Sequence, residues 1–274
     1  LSVIVTHPGI KKEELLEFFL QTLGGLQTSK ATLSFAINIS LRFLSSQQLV
    51  IKKSERYAGT AFGKKTSMLY IDPLTATYFR DAIDNVSEQR KHTFGFLHLM
   101  TNCEEFFPKF SLRNKDYEST SLMIENHSSE LIEPISEYDC SRSLLALQMW
   151  ITESNELSLS DTLGIEAGDM HRMVENANWL SYCLREISKH IERSDLLEEF
   201  DDLRKRVVYG IREELLDLVR VKGIGRIRAR VLFKNNVKNL DDLANIPVNK
   251  LAEIDKIGLT IANNIKAELK KVRY

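Results

Sequence analysis

The sequence predicts a mainly α protein made of a winged helix, a helical bundle and a helix-hairpin-helix domain in series, at residues 1–88, 89–200 and 201–274. Three observations lead there. Near the N-terminus a helical pattern runs into a β-type run and then a basic, glycine-bearing loop. The middle of the chain repeats apolar residues at helical spacing with no clear strand. The last part carries two copies of a glycine turn between helical segments.

In the first unit, Leu15, Leu16, Phe18, Phe19 and Leu23 give residues 11–23 a helical face, and Gly24-Gly25 is read as its end. Leu33, Ile37, Leu41 and Leu44 mark a second helix. Leu49-Val50-Ile51 reads as a strand, and Lys52 to Lys65 as a basic loop. Helix, strand and basic loop in that order are the layout of a winged helix; the plainer reading is an ordinary helical subdomain. In residues 92–200, Pro108 and Pro134 mark turns. A long helix is expected from Met170 to about Ile191, with Asp169 as its N-cap after Gly164 and Gly168.

The net charge of −1 hides a segregation. Residues 201–274 hold 17 Lys or Arg against 10 Asp or Glu, residues 101–200 hold 8 against 20, and residues 1–100 hold 12 against 8. Basic ends attract phosphate backbones through counterion release, although like charges also segregate on solvated faces. The apolar fraction of 43% and charged fraction of 27% are those of a soluble globular protein. No apolar run approaches a membrane span, and no signal peptide is expected, so a cytoplasmic location is expected. Leu1 in place of Met suggests a start within a longer gene product. Cys103, Cys140 and Cys183 form no CxxC, which points to buried free thiols in a reducing compartment. His98 and Cys103 lack a second ligand pair, so no metal site is expected.

The C-terminal repeat carries the clearest chemistry. Gly223-Ile224-Gly225 sits between two helical segments and is followed by Arg226, Arg228, Ala229 and Arg230. Glycines let a hairpin backbone approach a phosphate that a Cβ would obstruct. The next helix offers free N–H groups and the positive end of its dipole. Ile257-Gly258 with Ala262 is a second copy without the first glycine, suited to a structural role. A lone GxG is often only a tight turn; two copies in a basic domain favour DNA.

The helix after Asp169 has a core stripe of Met170, Met173, Val174, Ala177, Leu180, Leu184, Ile187 and Ile191. Arg172 and Trp179 lie off it and share a direction. They are separated by about 10 Å of helical rise, comparable to about three stacked nucleotides. Either Trp179 packs on a neighbouring helix, or it stacks on a base while Arg172 holds a phosphate.

Residues 59–66, Gly-Thr-Ala-Phe-Gly-Lys-Lys-Thr, imitate a phosphate-binding P-loop but fail it. Three residues separate the glycines instead of four, and Lys65 stands where Ser or Thr is needed. No acidic pair in a DExH setting and no nucleophile-base arrangement is readable, and His171 is expected at the surface. The chain should not hydrolyse ATP alone.

Residues 206–216, leading into 223–230, resemble the C-terminal domain of the archaeal Holliday junction migration (Hjm) helicases of superfamily 2. Residues 69–74 resemble the end of that family's winged helix, and residues 168–180 its ratchet helix. The resemblance covers nearly the whole chain in the right order. It implies a winged helix, a ratchet bundle and a helix-hairpin-helix domain following two RecA-like motor domains, which are absent here, as is the expected first helix of the winged domain. It implies that ATP and Mg serve the full-length enzyme and that no cofactor serves this chain. It also implies 3′-to-5′ movement on single-stranded DNA in fork repair and recombination. Arg172 and Trp179 match the base-contacting pair of the ratchet helix, and Arg228-Ala229-Arg230 matches the basic motif that grips the emerging strand. The expected partners are single-stranded and forked DNA, the motor domains of the same polypeptide, and recombination or nuclease proteins, with no membrane. The DNA contacts are Arg172, Trp179, Gly223, Gly225, Arg226, Arg228 and Arg230. A stand-alone DNA-structure adaptor recruiting a nuclease or recombinase is the rival reading, and a protein scaffold with an acidic middle is a third.

Overall fold

The computed structural model describes residues 1–87, 91–113, 117–135 and 141–273, and it is mainly helical. Cys140 and the expected boundary at residues 88 and 89 lie outside the described residues. The chain forms two compact units. The first holds residues 1–85, 103–105 and 186–194; the second holds residues 86–102, 106–185 and 195–274.

The first unit is a winged helix. Its elements are α1 (Ser2–Thr6), β1 (Ile10–Lys11), α2 (Lys12–Leu20), α3 (Leu23–Leu26), α4 (Lys30–Ser46), β2 (Val50–Lys53), β3 (Arg56–Gly59), α5 (Ala61–Leu69) and α6 (Pro73–Asp84). The strands form an antiparallel sheet in the order β1-β3-β2. The wing is the β2–β3 hairpin, and its turn residues Ser54 and Glu55 both take positive φ (46° and 65°). That pairing matches the twist of two-residue hairpins, here without glycine or asparagine. Ser29 caps α4 by accepting the N–H of Thr32. Along α4, Ile37, Leu41 and Leu44 are buried as their spacing predicts.

Gly24-Gly25 does not end α2, which stops at Leu20. Both glycines lie inside α3, where a Cβ on Gly25 would stand 2.0 Å from the Phe19 carbonyl oxygen. The glycine is therefore a close-packing residue and not a terminator. The false P-loop is likewise accounted for. Thr60 caps α5 by accepting the N–H of Gly63, and a Cβ on Gly63 would meet the Leu49 carbonyl oxygen at 1.9 Å. The glycine-lysine pattern belongs to a strand-to-helix turn.

The second unit opens with α7 (Thr93–Asn102), α8 (Tyr117–Glu125), α9 (Ser141–Ile151), α10 (Glu156–Leu163), α11 (Ala167–His190) and α12 (Leu197–Tyr209). Helix α7 is buried from Phe94 through Thr101, as expected of a helix surrounded by others. Phe96 packs on Phe200 of α12 with ring centroids 4.7 Å apart. The core stripe of α11 is Met170, Met173, Ala177, Leu180, Leu184 and Ile187, all at most 3% exposed. Val174 and Ile191 are only half-buried, and Cys183 and Ser181 join the core instead. Cys103 and Cys183 are buried free thiols. Helix α11 begins at Ala167, so Asp169 is not its N-cap. Asp169 lies in the first turn, where its charge favours the positive end of the dipole. The last residues of α11 count with the first unit, where His190 stacks on Phe62 and Glu186 pairs with Lys65 at 2.8 Å.

The same unit ends in α13 (Leu216–Val219), α14 (Arg226–Lys234), α15 (Leu240–Asn245), α16 (Val248–Ala252) and α17 (Leu259–Arg273), around a core that includes Leu218, Ile224, Leu232, Leu243, Leu251 and Ile265. Lys266 reaches across to the Leu243 and Ala244 carbonyls at the end of α15, at 2.7 and 2.8 Å. A side-chain ammonium thus satisfies acceptors that a helix end leaves open.

Candidate nucleic-acid interface

The two glycine turns of the C-terminal domain are built alike. In the first, the Ile224 N–H donates to the Val221 carbonyl at 3.0 Å, and the Ala229 N–H to the Gly225 carbonyl at 2.9 Å. In the second, Ile257 donates to Ile254 at 3.0 Å and Ala262 to Gly258 at 2.9 Å. Ile224 and Ile257 are each 1% exposed, and Ala229 and Ala262 are fully buried. The buried isoleucine anchors each turn, and the small alanine lets the following helix pack closely. Gly223 takes φ +94°, and Lys256 takes φ +62° at the equivalent place. The degenerate copy therefore keeps the left-handed backbone without its glycine.

Gly225 is different. Its φ of −100° suits any residue, and a Cβ there would meet nothing within 4 Å. The same open space surrounds Gly223 and Gly258. Nothing inside the protein requires position 225 to be bare; a group approaching from outside would. As N-cap of α14, Gly225 supplies no side-chain cap, so the first N–H groups of that nine-residue helix lack intrahelical partners.

The three arginines that follow have separate tasks. Arg228 donates to the carbonyl of Gly223 at 2.8 Å and to that of Lys256 at 3.3 Å, linking the two turns. Arg226 donates to the Ser154 carbonyl at 2.6 Å and lies 4.6 Å above the Trp150 ring. Burial pushes the Arg226 guanidinium below its usual pKa, against the opposing pull of Glu153 and Glu156.

Arg230, expected to grip DNA, is committed elsewhere. It pairs with Glu153 and with Glu214 at 2.7 Å, and it lies over the Phe233 ring. The hydrogen bond that it donates to Glu153 raises its pKa. Burial pushes the Glu214 carboxyl up, but the hydrogen bond from Arg230 and the charges of Arg230 and Arg212 hold it below the usual range. Arg230 thus clasps α14 to the segment after α9. Spacing placed it beside Arg228, while the carboxylates that take it come from distant sequence.

On α11, Arg172 is exposed and makes no ion pair among the described residues, and Trp179 is half-buried. His171 is exposed, 3.5 Å from Glu175. Asn176 falls between Arg172 and Trp179 on the same helical face. Its side-chain oxygen accepts the N–H of Phe107 at 3.3 Å, and Phe107 is 61% exposed. The exposed Phe107 is thereby tied through its backbone to Asn176 of that helix. Helical spacing could have suggested Asn176; no sequence signal reaches Phe107, which is 69 residues away. Among the described residues, no group of three His, Cys, Asp or Glu is placed to hold a metal. No helix among them is long and apolar enough to cross a membrane.

Residues 94–210 match the archaeal helicase domain 4 family, and residues 215–271 match a tandem helix-hairpin-helix family. The chain is 31% identical, over 97% of its length, to an "ATP-dependent DNA helicase Hel308" of Thermococcus kodakarensis, of which the match covers 25%. It is 32% identical over 92% of its length to the protein of that name in Thermoplasma acidophilum, covering 36% of it. The chain is thus similar to part of these archaeal DNA helicases. What it carries is a C-terminal helicase portion, in which the bundle is helicase domain 4 and the hairpins form the domain after it. The chain spans between 18% and 39% of the relatives it matches; in Pyrococcus horikoshii the share is 39%, at 30% identity.

Proposed function

We propose that this chain is the strand-gripping part of an ATP-dependent 3′-to-5′ DNA helicase acting in replication-fork repair and recombination. The observation that carries this reading is the pair of matched turns, each with a glycine that nothing inside the protein requires, Gly225 standing at the uncapped start of α14 and Gly258 at the equivalent place. The N–H groups there, with Arg226 and Arg228, hold a phosphate; Gly223 supplies the left-handed turn that exposes them. On α11, Arg172 takes a second phosphate, and Trp179 stacks on a base. Bases stepping past Trp179 resist backsliding, which lends direction to movement driven by motor domains of the same polypeptide. The names of the relatives favour this over the stand-alone adaptor, and ATP and Mg belong to the motor. The domain limits that fit this reading are 1–88, 89–200 and 201–274.

Fluorescence anisotropy with single-stranded, forked and duplex DNA over a salt series tests it. Binding to single-stranded or forked DNA should be tighter than to duplex and fall steeply with salt. Equal affinity for duplex, or binding indifferent to salt, would overturn the reading.

A further inference from the structure

Beside the first turn lies an open groove of about 580 Å³, within the range of small-ligand sites. Its floor is Trp150 with Arg226 stacked upon it. The Trp150 ring is fixed from two further directions. Its Nε1–H donates to the Val207 carbonyl at 2.7 Å, and Gly210 lies so close that a Cβ there would stand 2.5 Å from the indole. The walls are apolar and open to solvent: Ile227 is 66% exposed, Val208 42% and Tyr209 37%. Arg228 and Lys256 complete the lining, which contains no carboxylate.

An apolar slot with a cationic rim, adjoining a phosphate-binding turn, suits a ligand that is flat and apolar on one side and anionic on the other. In a duplex the bases are turned inward and only phosphates reach such a turn. In an unpaired strand the base beside the phosphate is free to swing out and stack on an aromatic or guanidinium plane. We propose that this groove receives one unpaired nucleobase of the strand whose phosphate rests on the Gly223–Gly225 turn, making the domain a reader of single-strandedness. This rests on the strand-gripping reading above and adds a base-binding site to it. Ile227 and Tyr209 hold the base edges, Arg226 on Trp150 offers the stacking plane, and Lys256, from the second turn, adds charge at the rim.

The test uses the full chain and two oligonucleotides of equal length, one of thymidines and one abasic, so that phosphates match and only bases differ. Ile227→Ser should weaken thymidine binding by about fivefold and leave abasic binding unchanged; Val208→Ser, on another part of the wall, should do the same. Trp150 and Trp179 are the only tryptophans, so Trp179→Phe makes Trp150 the sole reporter. Its emission should change with the thymidine strand and not with the abasic one. Equal loss on both strands, no loss on either, or an identical Trp150 response would overturn the groove while leaving strand gripping intact. Failure of the wild-type chain to bind either strand would overturn both.

Discussion

Arg228 and Arg230 stand two positions apart in one basic motif, yet their surroundings divide them. Arg230 is held between Glu153 and Glu214, and its charge is already neutralised. Arg228 bonds only to carbonyl oxygens, so its charge remains available. Arg228→Ala should therefore reduce the slope of log affinity against log salt by about one unit, while Arg230→Ala leaves the slope unchanged. Equal slopes for both variants would refute this division. Trp179→Ala tests the face on α11. It should weaken single-strand binding by about tenfold, with helix content unchanged by circular dichroism, because the side chain is only half-buried. Unaltered affinity would return Trp179 to a packing role. At this scale the sequence revealed residue types and spacing along a helix, which is why Arg172 and Trp179 could be paired. It could not reveal which carboxylates would capture Arg230, because Glu153 lies 77 residues from it.

The two turns of the helix-hairpin-helix domain were readable because the pattern is local: a buried isoleucine, a glycine and a buried alanine recur in order. The wing and α4 were readable for the same reason, through apolar spacing and a change of period. The ends of α2 and α11 were not, because Gly25 answers to the backbone of α2 and Asp169 to a helix already begun. The equivalence of Gly223 and Lys256 gives a prediction proper to this element. A lysine in the left-handed region carries a steric cost of about 1 kcal/mol that glycine avoids. Lys256→Gly should therefore stabilise the domain by up to about 1 kcal/mol, and Gly223→Ala should destabilise it by about the same amount or more. Denaturant unfolding checks both. Destabilisation by Lys256→Gly would mean that the lysine side chain contributes more than the turn costs.

Over the whole molecule, the hairpin domain shares a compact unit with the helical bundle, and a few polar contacts span the two. Arg226 reaches Ser154, Arg212 approaches Glu153 at 3.8 Å, and Arg230 pairs with Glu153. Side chains at the clasp are largely withdrawn from water, 24% exposed for Arg230 and 14% for Glu153, so its removal leaves charge poorly compensated. Arg230→Met should lower the stability of the hairpin domain by about 2 kcal/mol, between the values for exposed and buried pairs. Amide exchange in α14 and α17 should quicken while the winged helix is unaffected. The clasp also has a pH window. Because the folded Glu214 carboxyl is held below its ordinary value of about 4.5, its contribution is present above that value and is lost as pH falls through the lower, folded one. Exchange in α14 should thus accelerate in wild type as pH drops below about 4.5, after correction for the intrinsic chemical rate. Glu214→Gln, which cannot titrate, should show a flatter profile there from a faster starting point. Parallel profiles for the two proteins would place the acid sensitivity of this domain in some other carboxylate.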